Sequence, residues 1–322
     1  MDKQVKVVII AIAVIIPISA ILVWNSNQSN LVSLEPQNQK IRIFASFYPY
    51  YEFTKNVAGD RAEVKQYLPT GVEAHDWEPR AGEIQSLKDA DVFVYNGLGI
   101  EPYVDNIINS DEFDHVVFVK ASNDVKLLKP EEEHDEHEGE EDGHNDFEFD
   151  PHIWLDPILV KQQVNNIKDG LVQADPENAQ YYEKNAIAYN AKLDALDAKI
   201  KSELSDCQKD TFVPFHNAFT YFGERYGLTV FSISGVTPDS EATASEIAEF
   251  VDFVKDNDIK VIFAEELIDP RLAEVIANEA GAQVMIFSPI EALTPQEASA
   301  GITFLDKMEQ NLDVLKVALK CQ

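Results

Sequence analysis

The sequence predicts an α/β protein with two lobes of mostly parallel sheet joined by one long, rigid interdomain helix. Short apolar runs alternate with helical stretches in both halves of the chain, which is the pattern of parallel strands with crossover helices. Between the halves, Pro176 to Leu204 contains neither glycine nor a second proline, so one helix of roughly 40 Å is predicted there. With 322 residues, the chain is long enough for two such Rossmann-like lobes.

The first α/β lobe is predicted over residues 41–158. Its strands are predicted from IRIFASF at Ile41, VFVYNG at Val92 and VVFVKAS at Val116. A helical stretch that opens at Pro79 separates the first two of these runs.

Connecting helices are predicted over residues 159–206, followed by a second α/β lobe over 207–322. Asp175 is predicted to cap the long helix, because an N-cap acid followed by proline is a common helix start. Its buried face is predicted from residues at spacings of four and three, which are Tyr182, Ala186, Tyr189, Leu193, Leu196 and Ile200. The strands of the second lobe are predicted from TFVPFH, LTVFSISG, VIFAEE and VMIFSP.

An apolar run at the N-terminus predicts contact with a membrane. Residues Val7 to Trp24 are uncharged and follow Lys3 and Lys6, so we expect 1–25 to be an anchor, or a cleaved signal segment, and 26–40 to be a polar linker. The lysines place the rest of the chain outside the cytoplasm. The net charge of −31 argues against nucleic acid as a partner, and we expect a monomer.

Two further features have open interpretations. The insertion 131–150 holds twelve carboxylates and three histidines (His134, His137, His144) but no lysine or arginine, so it cannot form a core. It is either a weak zinc collector or sensor, or a solvated disordered segment. Cys207 and Cys321 are the only cysteines, and outside the cell we hypothesise that they pair.

Three histidines stand apart from that insertion: His75 in PTGVEAHDWEP, His152 in DPHIWLDP and His216 in VPFHNAF. His216 ends an apolar strand, where open α/β sheets carry ligand-binding groups. Three imidazoles suit a tetrahedral zinc site, but their spacing matches no local zinc motif. The residues alone therefore indicate a metal site in a cleft without establishing it.

The segments GVEAHDWEP, DPHIWLDP and PFHNAFTYFGERYGL resemble those of zinc-uptake substrate-binding proteins, the ZnuA-like branch of the TroA superfamily. The resemblance extends from about Ile41 to the C-terminus. It implies two lobes bridged by a rigid helix, with a metal between them that is delivered to an ABC permease and its ATPase. It also implies that His75, His152 and His216 are ligands, and the third histidine favours zinc over manganese.

The fourth ligand is left open, because Ser288 stands where many relatives have an aspartate. Water, Glu265 and Glu291 are the candidates, since both glutamates lie near the ends of predicted strands; Glu265 could instead be a structural ion-pair partner. Asp156 and Glu78 are expected to cap the helices opened by the prolines that follow them, or to orient imidazoles.

The function expected from these features is capture of Zn²⁺ and its delivery to the permease, without catalysis. One alternative is a protein of the same architecture that binds Mn²⁺ or Fe²⁺. Others are an anchored zinc hydrolase, in which Glu265 acts as a base, and a metal-buffering adhesin.

Overall fold

The first sheet of the computed structural model, which describes residues 40–75, 77–130, 147–237 and 243–322, has four parallel strands. These are β1 (Ile41–Ala45), β2 (Ala62–Gln66), β3 (Val92–Tyr95) and β4 (Val117–Lys120), in the order β2-β1-β3-β4. Around them lie α1 (Tyr48–Ala58), α2 (Ala81–Ser86) and α3 (Tyr103–Ile108). The three strands predicted here are confirmed, whereas the sequence of β2, AEVKQ, lacks an apolar run and was missed.

The second half repeats this arrangement with shorter strands. Its strands are β5 (Thr211–Phe212), β6 (Thr229–Val230), β7 (Val261–Ala264) and β8 (Gln283–Ile286). Its helices, which follow two connecting helices in the chain, are α6 (Thr220–Tyr226), α7 (Ala244–Asp256), α8 (Arg271–Ala280), α9 (Pro295–Ala300) and α10 (Phe304–Leu319). Parallel pairs join β5 to β6 and β7 to β8. A parallel bridge between Pro214 and Phe263 links the pairs, so the strand order β6-β5-β7-β8 matches that of the first half.

Two antiparallel helices connect the halves, α4 (Pro157–Ala174) and α5 (Ala179–Leu204). With 26 residues, α5 is about 39 Å long. The face predicted from its sequence is buried as expected. Because α5 packs on α1 and α4 and also on α10, it supports both halves. The predicted fold class is confirmed, while the boundaries at residues 158 and 206 stay predictions.

The predicted helix caps have mixed outcomes. Asp156 caps α4 by accepting hydrogen bonds from the backbone N–H groups of the second and third helical residues, at 2.8 and 3.4 Å. Glu78 is not the N-cap of α2, because that helix begins only at Ala81 and its N-cap residue is Arg80. Asp175 forms no side-chain cap, and its carboxylate instead accepts a 2.5 Å hydrogen bond from the Tyr182 hydroxyl.

Cys207 and Cys321 form a disulfide, so the hypothesis of their pairing agrees with the structure. Among the described residues, no helix has the length and apolar character needed to cross a membrane. The apolar run Val7 to Trp24 lies outside the described residues, and so do 131–146 of the acidic insertion.

Candidate metal centre

Four side chains from distant parts of the sequence meet in one buried cluster: His75, His152, His216 and Glu291. One potential ligand atom of each lies within 4.8 Å of the others. Each residue lies in a loop beyond a strand or just before a helix, where ligand-binding groups of open α/β sheets are found. The first two come from the N-terminal half and the last two from the C-terminal half.

The distances within the cluster fit the corners of a zinc tetrahedron. Ligands at about 2.0–2.1 Å from zinc are separated by roughly 3.3–3.4 Å from one another. Oε1 of Glu291 lies 3.4 Å from Nε2 of His75, 3.5 Å from that of His152 and 3.9 Å from that of His216. The Nε2 atoms of His152 and His216 are 3.5 Å apart. A central ion would therefore need only small movements of these side chains to reach all four.

Two of the imidazoles are oriented by carboxylates on their other nitrogen. Nδ1 of His152 lies 2.8 Å from Oδ1 of Asp150, and both residues are fully buried. Nδ1 of His216 forms a short hydrogen bond with Oε1 of Glu265. In the neutral imidazole, a carboxylate at Nδ1 holds the proton there and leaves the Nε2 lone pair free, which is the usual support for a metal-binding histidine.

Two members of the cluster have buried polar atoms without hydrogen bonds in the described part of the chain. They are both ring nitrogens of His75 and Oε1 of Glu291. Buried polar atoms normally have hydrogen-bond partners, and a buried carboxylate without one is costly. Coordination to a cation would satisfy the Glu291 oxygen and one nitrogen of His75.

The charges of the cluster are coupled. Burial disfavours the anion of Glu291, but interactions with the neighbouring imidazoles hold its pKa well below the ordinary range. Burial also disfavours the charged form of His152, yet Asp150 and Glu291 raise its pKa to about 9. The metal-free cluster thus favours a carboxylate and one imidazolium, whose proton a bound dication would displace.

The candidates for the fourth position lie in different places. Glu265 is bonded to the side of the His216 ring that faces away from the cluster, and Ser288 accepts a 3.1 Å hydrogen bond from the backbone of Ile290 through its hydroxyl. Glu291, considered from the sequence as a residue just beyond a strand, is the carboxylate that joins the histidines.

The carboxylate partner of His152 is Asp150, which was not predicted from the sequence; Asp156 and Glu78 were the acids considered as able to orient imidazoles. Asp156 pairs instead with Arg225 and caps α4. The available signal was the spacing in DPH: Asp150 also accepts a 2.9 Å hydrogen bond from the backbone N–H of His152, a local turn that brings the carboxylate to the ring.

Comparison with known proteins relates this chain to zinc proteins. Residues 43–318 match the family described as zinc-uptake complex component A, periplasmic. The high-affinity zinc uptake system protein ZnuA of Bacillus subtilis is 38% identical over 293 residues, which cover 91% of this chain and 92% of that protein. The zinc-binding lipoprotein AdcA of Streptococcus pneumoniae is 40% identical, and the match covers 89% of this chain but 58% of AdcA.

Solved structures show the same fold. The Zn(II)-bound ZnuA-like domain of S. pneumoniae AdcA has a TM-score of 0.73 at 37% identity, covering 87% of this chain and 99% of that one. The laminin-binding protein Lmb of Streptococcus agalactiae, described as bifunctional with adhesin and metal-transporting activity, has a TM-score of 0.76 at 32% identity, covering 87% and 100%. With the family match spanning most of the sequence, the chain belongs to the ZnuA family of zinc-uptake complex components.

Proposed function

We propose that this protein captures Zn²⁺ outside the cytoplasm and delivers it to an ABC-type permease that is driven by an ATPase. The observation that carries the proposal is the buried cluster of three imidazoles and one carboxylate, with donor spacings close to those of a zinc tetrahedron. Relatives that match most of this chain are named as zinc-uptake and zinc-binding proteins, which supports zinc as the cargo.

In this proposal the ion is held by Nε2 of His75, His152 and His216 and by Oε1 of Glu291. Glu265, considered from the sequence as a fourth ligand, instead orients His216 through its hydrogen bond to Nδ1. The Zn²⁺ charge would offset the buried carboxylate, which is why a complete site is more favourable than an empty one.

The ligand set favours zinc over the other divalent ions considered. Three imidazole nitrogens and a single carboxylate suit zinc, whereas manganese prefers sites richer in oxygen. Competition with Mn²⁺ and Fe²⁺ tests this selectivity, and tighter binding of either ion than of Zn²⁺ would assign the cargo differently.

We also propose that the protein catalyses no reaction. A hydrolytic zinc site keeps an open position for water, and the four protein donors here would fill a tetrahedron. Glu265 is the base that the hydrolase alternative requires, but it is already bonded to His216. Hydrolysis of ester or peptide substrates that is lost with His216→Ala would revive that alternative.

The direct test is zinc stoichiometry and affinity, measured by competition with a chelating dye. We expect one tightly bound ion per chain and its loss in His75→Ala, His152→Ala and His216→Ala. His115→Ala is the matched control, because His115 is bonded to the carbonyl of Lys88 and lies outside the cluster. Tight binding that survives all three substitutions would contradict the proposed site.

Delivery and location need separate tests. The N-terminal apolar run, Val7 to Trp24, is the proposed anchor that keeps the protein on the outer side of the membrane. Vesicles containing the permease and the ATPase should accumulate zinc only when the loaded protein is added on the outer face. Equal uptake without it would contradict the role in delivery.

A further inference from the structure

We propose that Asn311, which contributes no atom to the metal cluster, is a positioning residue for Glu291. The inference rests on the proposed function, since it concerns the geometry of the fourth zinc ligand. It starts from the loop Ser288–Glu291, which follows β8 and carries Glu291 into the cluster.

Asn311 holds the start of this loop from the middle of α10. Its Oδ1 accepts a 2.9 Å hydrogen bond from the backbone N–H of Ser288, and its Nδ2 donates a 2.7 Å bond to the Ser288 carbonyl. Both residues are buried, with 5% and 2% of their surface exposed. Solvent therefore has little access to this amide, and its two bonds fix both the position and the direction of the backbone at Ser288.

The loop needs this support because its backbone is strained. Ile290 is fully buried with a φ of 60°, in the left-handed region that β-branched residues avoid. The hydroxyl of Ser288 accepts a 3.1 Å hydrogen bond from the Ile290 N–H, which stabilises the tight turn. Such a conformation persists only where surrounding contacts enforce it, and here those contacts begin at Asn311.

Beyond the turn, the loop is bonded to the first half of the protein. The carbonyl of Pro289 accepts a 2.7 Å hydrogen bond from Nε1 of Trp154, two residues after the ligand His152. The carbonyl of Glu291 accepts a 3.3 Å bond from the N–H of Tyr48, at the start of α1. Asn311 on one side and these two donors on the other thus set where the Glu291 carboxylate meets the histidines.

This arrangement gives Ser288 a role other than ligation. Ser288 serves here as a turn residue, and the carboxylate of the cluster comes from three residues later. Changing Asn311 should therefore alter zinc affinity through Glu291 and not through the histidines.

A double-mutant cycle on the full chain, purified in mild detergent and titrated with zinc against a chelating dye, tests this inference. The proteins are wild type, Asn311→Ala, Glu291→Ala and the double variant. We expect Asn311→Ala to weaken binding about 10-fold to 100-fold, as loss of a supporting hydrogen-bond partner does. In the Glu291→Ala background the same substitution should have no further effect.

The inference is overturned if Asn311→Ala binds zinc like wild type, or if its effect is undiminished once Glu291 is replaced. If Asn311→Ala does not fold, Ser288→Ala takes its place in the cycle, because it removes only the hydroxyl that accepts the hydrogen bond from Ile290. We expect Ser288→Ala to lower zinc affinity about fivefold, and to have no effect in the Glu291→Ala background. A loss of affinity that persists in that background would overturn the inference. Wild-type affinity in Glu291→Ala would instead count against the proposed ligand set.

Discussion

Zinc binding to this protein should release a proton, because one of the proposed ligands is protonated in the metal-free state. The pKa of His152 is raised to about 9 by Asp150 and Glu291, although burial alone would lower it. Zinc requires the Nε2 lone pair, so at pH 7 binding must displace the proton. The two pH units between 7 and 9 correspond to about 2.7 kcal/mol, or roughly 100-fold in affinity.

Calorimetric titration in buffers with different ionisation enthalpies measures this proton directly. We expect about one proton released from His152 per zinc at pH 7, almost none near pH 10, and an affinity that rises about tenfold per pH unit from 7 to 9. Asp150→Asn removes the main cause of the raised pKa, so its proton release at pH 7 should fall sharply. Absence of proton release from the wild type at pH 7 would refute the reasoning.

The same group makes the metal-free protein respond to pH in the opposite direction. Its folded-state pKa exceeds the unfolded value of about 6.5, so its stabilising contribution is complete below pH 6.5 and is lost as the pH rises through about 9. The difference amounts to about 3 kcal/mol. Thermal unfolding of the metal-free protein at pH 6.5 and 9.5 should show this loss, and a more stable metal-free protein at pH 9.5 would contradict it.

Three other predictions concern the site and the fold. Glu265→Gln should weaken zinc binding about 10-fold to 100-fold in dye competition, because the carboxylate orients His216. Thermal unfolding of the metal-free protein should change little, and an unchanged zinc affinity would exclude the orienting role. Replacing Cys207 and Cys321 with serine should lower the free energy of unfolding in urea by up to about 5 kcal/mol, with zinc affinity retained; equal stability of both forms would show that the bond contributes nothing. Leu193→Ala, at a fully buried position of α5, should lower the free energy of unfolding by about 2–5 kcal/mol. Ile187→Ala, on the exposed side of the same helix, should lower it far less, and equal losses would contradict the burial of the Leu193 face.

Much of the fold was predictable because its signals are local. The buried side of α5 follows from helical spacing alone, and every residue predicted to face the core does so. The strand β2 was missed because an edge strand exposes alternate residues and needs no apolar run. Glu78 was misjudged because a proline favours a helix start without requiring the helix to begin there.

The site was less predictable because its geometry depends on contacts between distant residues. The three histidines were recognised as candidates from their positions and from the resemblance to zinc-uptake proteins. Choosing between Glu265 and Glu291 required knowing on which side of the His216 ring each carboxylate lies. That relation is set by strand order and by the turn at Ile290, and neither can be derived from sequence spacing.

The disulfide between Cys207 and Cys321 has a consequence for how the protein responds to a proteolytic cut. Every peptide bond between these residues lies within one covalent ring, which contains all of the strands of the second half together with His216 and Glu291. A single cut in any surface loop of that ring would open it without releasing a fragment. Both residues would stay on one covalently connected molecule, so a nicked protein can retain the second half of its site.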